Sequence, residues 1–262
     1  MPRQEIIDEF IDKLFEECED ALFENDIDVI LDYFEKHYRE LGPDFEPVFV
    51  KVITNIMDKS DLEKYKQKFG YFLYLYLANL FGIEDVYISG FKLDRISDKW
   101  RFNSLQWGDW GYKRPFTFKT VTIEYTPQNL TFVSDLLLKC DEVIVIGNNI
   151  KGQNLNFSWD VTTITFKTYV NTVNIKSCNN ICFEDNSVTY ENNIPVLTKD
   201  FTVRNSTDVT TIMLPEVDRV QVPRWMCSRL NNDKLTIYKQ PGQKINIFSV
   251  YKDWLKEHVK SI

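Results

Sequence analysis

The chain has 262 residues, a formal net charge of −8, and a hydrophobic content of 44%. Its length allows one large domain or two small ones, and its hydrophobic content excludes a wholly disordered chain. The nine glycines are too few for glycine-rich phosphate loops or flexible linkers to be expected.

The charge is divided unevenly along the chain. Residues 1–50 hold 16 acidic and 4 basic side chains, whereas the other 212 residues hold 23 acidic and 27 basic ones. This acidic beginning favours a basic partner for the N-terminal part and disfavours nucleic acid there.

Apolar residues at helical spacing predict four helices with short connections, and hence a small bundle over residues 1–83. The helices are expected over 4–24, 27–41, 46–58 and from about 60 to 80. Phe15 is assigned to the apolar stripe of the first helix. Ser60 and Glu63 fit a capping box that begins the fourth helix, and Gly82 fits the C-terminal cap of that helix.

From residue 84 onward the sequence pattern changes. Residues 84–119 are rich in aromatic residues and turn formers, and are interpreted as a connection with one or two short strands. Residues 120–262 contain short alternating segments about every 20–25 residues, a period typical of stacked β-repeats. Residues 249–259 return to helical spacing, and this helix is expected to cap the β-rich repeat domain. The predicted fold class is therefore α+β.

The β region resembles the degenerate leucine-rich repeats of the BspA-like type. The resemblance covers residues 120–240 and is carried by a Cys-x-x-apolar step, at Cys140 to Val143 and at Cys178 to Ile181. It implies a solenoid whose stacked strands offer an exposed face for recognition. Val, Ile and Phe replace leucine at the strand positions, so an antiparallel sandwich or an irregular β domain is the alternative.

Catalytic motifs are not found in the sequence. The two histidines, His37 and His258, lie in predicted helices away from any Ser or Cys nucleophile motif, and no phosphate-loop, dinucleotide or metalloprotease pattern occurs. The five cysteines contain no CxxC pair, so neither a metal site nor a cofactor is expected. Reduced, buried thiols favour a cytoplasmic protein.

A membrane span is not expected either. The longest aromatic-aliphatic stretch runs from Phe69 to Ile83 and is shorter than the roughly 20 residues that a spanning helix needs.

One candidate site is an acidic ridge on the first helix. Asp8, Asp12, Glu16 and Glu19 recur every three or four residues, which places them on one side of a helix. One interpretation is a docking face for a basic protein partner, and the other is an ordinary solvated face that keeps the protein soluble.

A second candidate site is a loop that mixes aromatic and basic residues: Trp107, Trp110, Tyr112, Lys113 and Arg114. These side chains could bind a partner or stack on nucleic-acid bases. Alternatively, the rings fill the junction between the two parts of the chain, because large rings rarely stay exposed.

These observations favour a non-enzymatic interaction protein that binds a protein partner. The richness in Asn, Lys, Ile, Phe and Tyr suggests an AT-rich genome, and a viral or phage accessory factor acting in a host cell is one setting. The first alternative is a nucleic-acid-binding protein that uses the aromatic and basic loop. The second is an enzyme whose carboxylates are brought together by the fold. The sequence does not predict the oligomeric state.

Overall fold

The computed structural model describes residues 3–262, apart from residues 25, 67–70, 90–114, 135, 149 and 231. The described residues form two compact units. The first contains the helices up to Ile83, and the second contains the strands, in residues 84–89 and 115–262.

The first unit is helical, as the hydrophobic periodicity predicts. Its helices are α1 (Arg3–Glu24), α2 (Ile27–Leu41), α3 (Phe45–Ile56), α4 (Lys59–Tyr65) and α5 (Tyr71–Leu80). A 3₁₀ turn, Gly42–Asp44, follows α2, and Gly42 has a φ of +49°. Gly82 has a φ of +61°, which is the left-handed conformation expected of a residue that ends a helix.

Aromatic rings form much of the core of this unit. Phe34 lies between Phe10 and Phe49, with ring centroids 5.6 and 5.1 Å away, and each of the three side chains is at most 2% exposed. Such ring pairs add about 0.5–1.5 kcal/mol each beyond the area that they bury. The core therefore joins α1, α2 and α3 through large, directionally packed side chains.

The capping box predicted for Ser60 and Glu63 was wrong, because the structure forms it two residues earlier, between Asp58 and Asp61. The Asp58 side chain accepts hydrogen bonds from the backbone N–H groups of Ser60 and Asp61, at 2.7 and 3.2 Å, and the Asp61 side chain accepts one from the backbone N–H of Asp58. The helix begins at Lys59, one residue before Ser60, so Asp58 occupies the capping position. An aspartate accepts these bonds as readily as a serine does.

The second unit is built mainly from strands. The strands are β1 (Asp85–Ile88), β2 (Phe116–Tyr125), β3 (Thr131–Ser134), β4 (Leu138–Gly147), β5 (Asn154–Phe166), β6 (Thr172–Phe183), β7 (Thr189–Glu191), β8 (Ile194–Val196), β9 (Asp200–Val203), β10 (Thr211–Met213), β11 (Arg219–Gln221), β12 (Thr236–Lys239), β13 (Lys244–Asn246) and β14 (Val259–Ser261). Two short helices, α6 (Arg224–Arg229) and α7 (Lys252–His258), complete it.

Ten of these strands form one large, mostly parallel sheet in the order β1-β2-β4-β5-β6-β10-β12-β14, with β3 beside β5 and β9 beside β6. This sheet overturns the prediction of a leucine-rich-repeat solenoid. It also contradicts the alternative prediction of an antiparallel sandwich, because the strand pairs of the large sheet run parallel. The period read from the sequence arises because neighbouring parallel strands repeat one apolar pattern in register.

The register produces a buried ladder of β-branched residues on one face of the large sheet. The ladder consists of Val86, Val121, Val143, Ile164, Ile181, Ile212, Ile237 and Val259. Its members other than Val259 are at most 3% exposed. Burial stabilises each by roughly 1.5–3 kcal/mol relative to exposure, so the ladder contributes strongly to the core.

The residues that follow the ladder point to the opposite face and form an outer row. The row consists of Tyr87, Thr122, Ile144, Thr165, Cys182, Met213, Tyr238 and Lys260. Most of these side chains are half-buried or exposed. The outer face of the sheet therefore combines hydroxyl, apolar and aromatic groups at the spacing of the strands, about 4.8 Å.

The Cys-x-x-apolar step has a structural cause that does not depend on a repeat family. Cys140 and Cys178 are both register partners of Val161, and all three side chains are buried. Two outward-facing residues separate each of them from the next buried position, Val143 in β4 and Ile181 in β6. The spacing thus marks a local irregularity that adjacent strands share.

A second sheet has the order β13-β11-β8-β7. Its pairs are parallel except β7 with β8, which form a hairpin whose turn residues, Asn192 and Asn193, have φ values of 49° and 62°. Asparagine tolerates this left-handed conformation better than most residues do.

The helix expected near the C-terminus is present as α7, but β14 follows it and pairs with β12 at an end of the large sheet. Its capping role stays a prediction. Among the described residues, no helix combines the length and the apolar character that crossing a membrane requires.

Candidate functional site

The acidic residues predicted on the first helix lie on the solvent-facing side of α1. Asp8, Asp12, Glu16 and Glu19 are all exposed. Gln4 donates a hydrogen bond from Nε2 to Oδ1 of Asp8 at 2.9 Å. The opposite side of α1 is buried through Phe10, Leu14, Cys18 and Ala21.

A kink divides this helix at Cys18, whose φ of −123° and ψ of 21° are not helical. Asp8, Asp12 and Glu16 precede the kink, and Glu19 follows it. The first three carboxylates therefore share one regular helical segment, and the direction of the helix axis changes before Glu19.

Two phenylalanines are exposed on the same helix. Phe15 is 57% exposed and Phe23 is 90% exposed. At about 100° per residue, Phe15 lies roughly 20° around the helix from Asp8 and 60° from Asp12. We call the exposed residues Asp8, Asp12, Phe15 and Glu16, together with Phe23 beyond the kink, the acidic–aromatic face.

The assignment of Phe15 to the buried stripe was wrong. The buried positions of α1 step by three or four residues through Leu14 and Cys18. Phe15 is one residue, or about 100°, beyond Leu14, and so leaves the stripe. Its hydrophobicity suggested burial, but its helical phase indicated exposure.

A cavity of about 350 Å³ lies beside the kink. Its lining includes Cys18, Ala21, Val29 and the acidic residues Glu16, Glu17, Glu19, Asp20, Glu24 and Asp26. Burial, and then the charge of Glu17, raise the pKa of the Cys18 thiol. The lining of this cavity is thus strongly negative.

The aromatic and basic loop (Trp107, Trp110, Tyr112, Lys113 and Arg114) lies outside the described residues. Its role stays a prediction.

An acid-lined pocket on the outer face of the large sheet was not predicted from the sequence. The pocket has a volume of about 640 Å³ and lies where β4, β5, β6, β10 and β12 approach their carboxyl ends. Four carboxylates line it: Glu142, Glu184, Asp185 and Glu216. Its other lining residues include Ile144, Thr165, Lys167, Cys182, Met213 and Gln240. The acids come from positions up to 74 residues apart, so no local motif could reveal them.

Hydrogen bonds hold these carboxylates in place. The Thr165 hydroxyl donates to Oε1 of Glu142 at 2.7 Å, and Gln240 donates from Nε2 to Oε1 of Glu216 at 3.0 Å. The backbone N–H of Glu216 donates to Oδ1 of Asp185 at 2.8 Å. Each of these contacts fixes one carboxylate oxygen.

One cation lines the pocket together with the four acids. Nζ of Lys167 lies 3.2 Å from Oε1 of Glu184. Four carboxylates against one ammonium group leave the lining with three net negative charges.

Cys182 belongs to the outer row of the sheet, lines this pocket and is half-buried. Burial, and then the charges of Glu142 and Glu184, raise the pKa of its thiol above the ordinary value. The thiol is therefore protonated near neutral pH. A protonated thiol is a weak nucleophile and a weak metal ligand.

Within the described part of the chain, no three His, Cys, Asp or Glu side chains gather in an arrangement that could hold a metal ion. All five cysteines are free thiols.

No protein-family model, no curated protein sequence and no solved structure matches this chain. The resemblance to leucine-rich repeats therefore has no support from a family match, in addition to being overturned by the sheet topology.

Proposed function

We propose that this chain is a non-enzymatic interaction protein that binds a protein partner through the acidic–aromatic face of α1. The observation that carries the proposal is the exposure of Phe15 and Phe23, at 57% and 90%, on a helix whose solvent side is mainly acidic, with Lys13 paired to Glu9. A purely solvating face needs carboxylates but gains nothing from exposed benzyl rings.

The physical argument combines the two kinds of side chain. Removing a phenylalanine ring from water on binding stabilises a complex by roughly 1.5–3 kcal/mol, and aromatic residues dominate the energetics of many interfaces. The surrounding carboxylates contribute selectivity and faster association with a positively charged surface. The proposed partner is therefore a protein with an apolar patch surrounded by Lys or Arg.

The experiment compares partner recovery from the native cell by the whole chain and by two surface variants. Phe15→Ala with Phe23→Ala removes the rings, and Asp8→Asn, Asp12→Asn and Glu16→Gln remove the charges. Either variant should reduce recovery of the same partner at least tenfold, while far-ultraviolet circular dichroism stays unchanged. The reduction from the charge variant should shrink as salt rises, because exposed charges are screened.

Matched controls come from the second unit. Tyr190 and Phe248 are 65% and 55% exposed, so Tyr190→Ala with Phe248→Ala removes two exposed rings outside α1. Asp218→Asn, Asp233→Asn and Glu257→Gln remove three exposed charges there. Undiminished recovery with both α1 variants, or equal reduction with the controls, would overturn the proposal.

The setting in which this binding would operate rests on composition alone. The amino-acid composition, which suggests an AT-rich genome, also supports a viral or phage accessory factor acting in a host cell. Identification of the recovered partner as a host protein would test that setting.

An enzyme that uses carboxylates is the second candidate, and the acid-lined pocket is the observation in its favour. Two of its acids, Glu142 and Glu216, are held by hydrogen bonds in a cavity that could admit a small substrate. If the pocket is catalytic, Glu142→Gln should abolish the turnover of a substrate that the parent chain converts, whereas Asp218→Asn should leave the turnover rate unchanged.

A further inference from the structure

We propose that the acid-lined pocket on the outer face of the large sheet is a second docking site, which binds arginine side chains of an extended basic segment in a partner protein. This goes beyond the proposed role of α1, because the pocket belongs to the other unit and is lined by that unit alone.

Charge complementarity identifies the occupant. The three net negative charges of the lining favour a cation. The hydrogen bonds to Glu142, Asp185 and Glu216 orient these carboxylates before a ligand arrives. A guanidinium group has five donors in a planar arrangement, and so can bond to two carboxylate oxygens at once.

The apolar part of the pocket matches the rest of such a side chain. Ile144 and Met213 belong to the outer row and line the pocket, and Met213 is 40% exposed. An arginine side chain can lay its methylene groups on apolar surface while its charged end contacts acids. Methionine suits this contact, because its unbranched, polarisable side chain adapts to the shape of a ligand.

The field inside the pocket is consistent with this occupant. Burial is the main cause of the raised pKa of the Cys182 thiol, and Glu142 and Glu184 raise it further because they disfavour a negative charge on the sulfur. The same carboxylates favour a positive charge at that position.

The test is a nuclear magnetic resonance titration of the whole chain with methyl-labelled methionine and isoleucine. The chain has four methionines, so the Met213 signal can be assigned by substitution. The probe is the peptide acetyl-Gly-Arg-Gly-Arg-Gly-amide. The control peptide has citrulline at both arginine positions, which keeps the shape and removes the charge. We expect saturable shifts of the Met213 and Ile144 methyl signals with the arginine peptide only.

Protein variants locate the binding. Glu142→Gln with Glu216→Gln should weaken peptide binding about tenfold, as expected for the loss of two partly exposed ion pairs. Asp218→Asn with Glu257→Gln removes the same charge from the same unit outside the pocket, and should change binding less than twofold. Asp185→Asn with Glu216→Gln is a second pocket variant, for use if loss of the Thr165 contact disturbs the fold.

Three results would overturn the proposal: no saturable Met213 shift, equal weakening in the pocket and control variants, or saturable binding of the citrulline peptide. The α1 charge variant separates this site from the proposed function. If that variant loses the native partner and still binds the peptide, both proposals stand. If it loses peptide binding while the pocket variants keep it, the pocket proposal fails and the α1 proposal stands.

Discussion

Replacing Ile181 with alanine should destabilise the large sheet by about 3 kcal/mol. Ile181 is 0% exposed and lies in the buried ladder between Ile164 and Ile212. Truncation of a fully buried isoleucine costs about 2–5 kcal/mol, from lost burial and from the cavity that remains. Because both neighbours are themselves β-branched ladder residues on parallel strands, the site has little freedom to collapse, which keeps the expected loss above the lower limit of that range.

The measurement is urea unfolding and thermal unfolding of the variant and the parent, both monitored by far-ultraviolet circular dichroism. A loss of about 3 kcal/mol should lower the thermal midpoint by roughly 6–12 °C for a unit of this size. The matched control is Met213→Ala. Met213 is in the outer row and 40% exposed, so its truncation should cost less than about 1 kcal/mol. A one-residue shift in strand phase would exchange the two faces of the sheet. A larger loss for Met213→Ala than for Ile181→Ala would therefore refute the register.

The other predictions concern a buried thiol and a crowded glycine. Burial raises the pKa of Cys178 from its ordinary 9.0 to about 12, so the folded chain keeps a proton that the unfolded chain releases as pH rises above about 9. The free energy of unfolding should therefore fall with pH between about 9 and 12, by about 1 kcal/mol at pH 10. Cys178→Val should reduce that slope, because valine has no proton to release; an unchanged alkaline slope would contradict the assignment. Gly147→Ala should cost about 1–3 kcal/mol by urea unfolding, because a Cβ there would lie 3.0 Å from Cβ of Tyr125 and a φ of +154° disfavours a residue with a side chain; a loss below about 0.5 kcal/mol would argue against the crowding.

The first two helices could be predicted closely from the sequence, whereas the single helix expected over about 60–80 corresponds to two helices, α4 and α5. The boundaries expected for the first two helices, 4–24 and 27–41, agree with α1 and α2 to within one residue. Both helices bury one stripe at a spacing of three or four residues, and local periodicity alone determines that pattern. The capping box was missed because Asp58 and Ser60 are both good capping residues, and only the backbone decides between them.

The sheet could be predicted only as a set of strands. The alternation of Thr163 to Phe166 and of Thr211 to Leu214 gave the strands β5 and β10, but not the strands that pair with them. A solenoid and a broad parallel sheet both require the same apolar positions at regular intervals. Pairing depends on contacts between distant residues, such as Asn180 with Thr211, and a single sequence contains no record of those contacts.

The two candidate sites differ in how far the sequence could reveal them. The acidic side of α1 was visible because Asp8, Asp12 and Glu16 are neighbours on one helix. The exposure of Phe15 follows from its helical phase, which places it about 100° from Leu14, although its hydrophobicity suggests burial. Glu142 and Glu216 belong to different strands, and they reach one pocket only through the register of the sheet.

Both sites depend on apolar groups beside carboxylates, and this combination decides how each should be interpreted. Carboxylates alone are the ordinary means of keeping a surface hydrated, and they carry no information about a ligand. An exposed benzyl ring at Phe23, or a methionine side chain at Met213, reduces solubility and gains stabilisation only when another surface covers it. Removing the apolar member while keeping the acids is therefore the sharper perturbation. A surface used only for solubility should lose nothing from Phe23→Ala, whereas a binding surface should lose its partner and keep its fold.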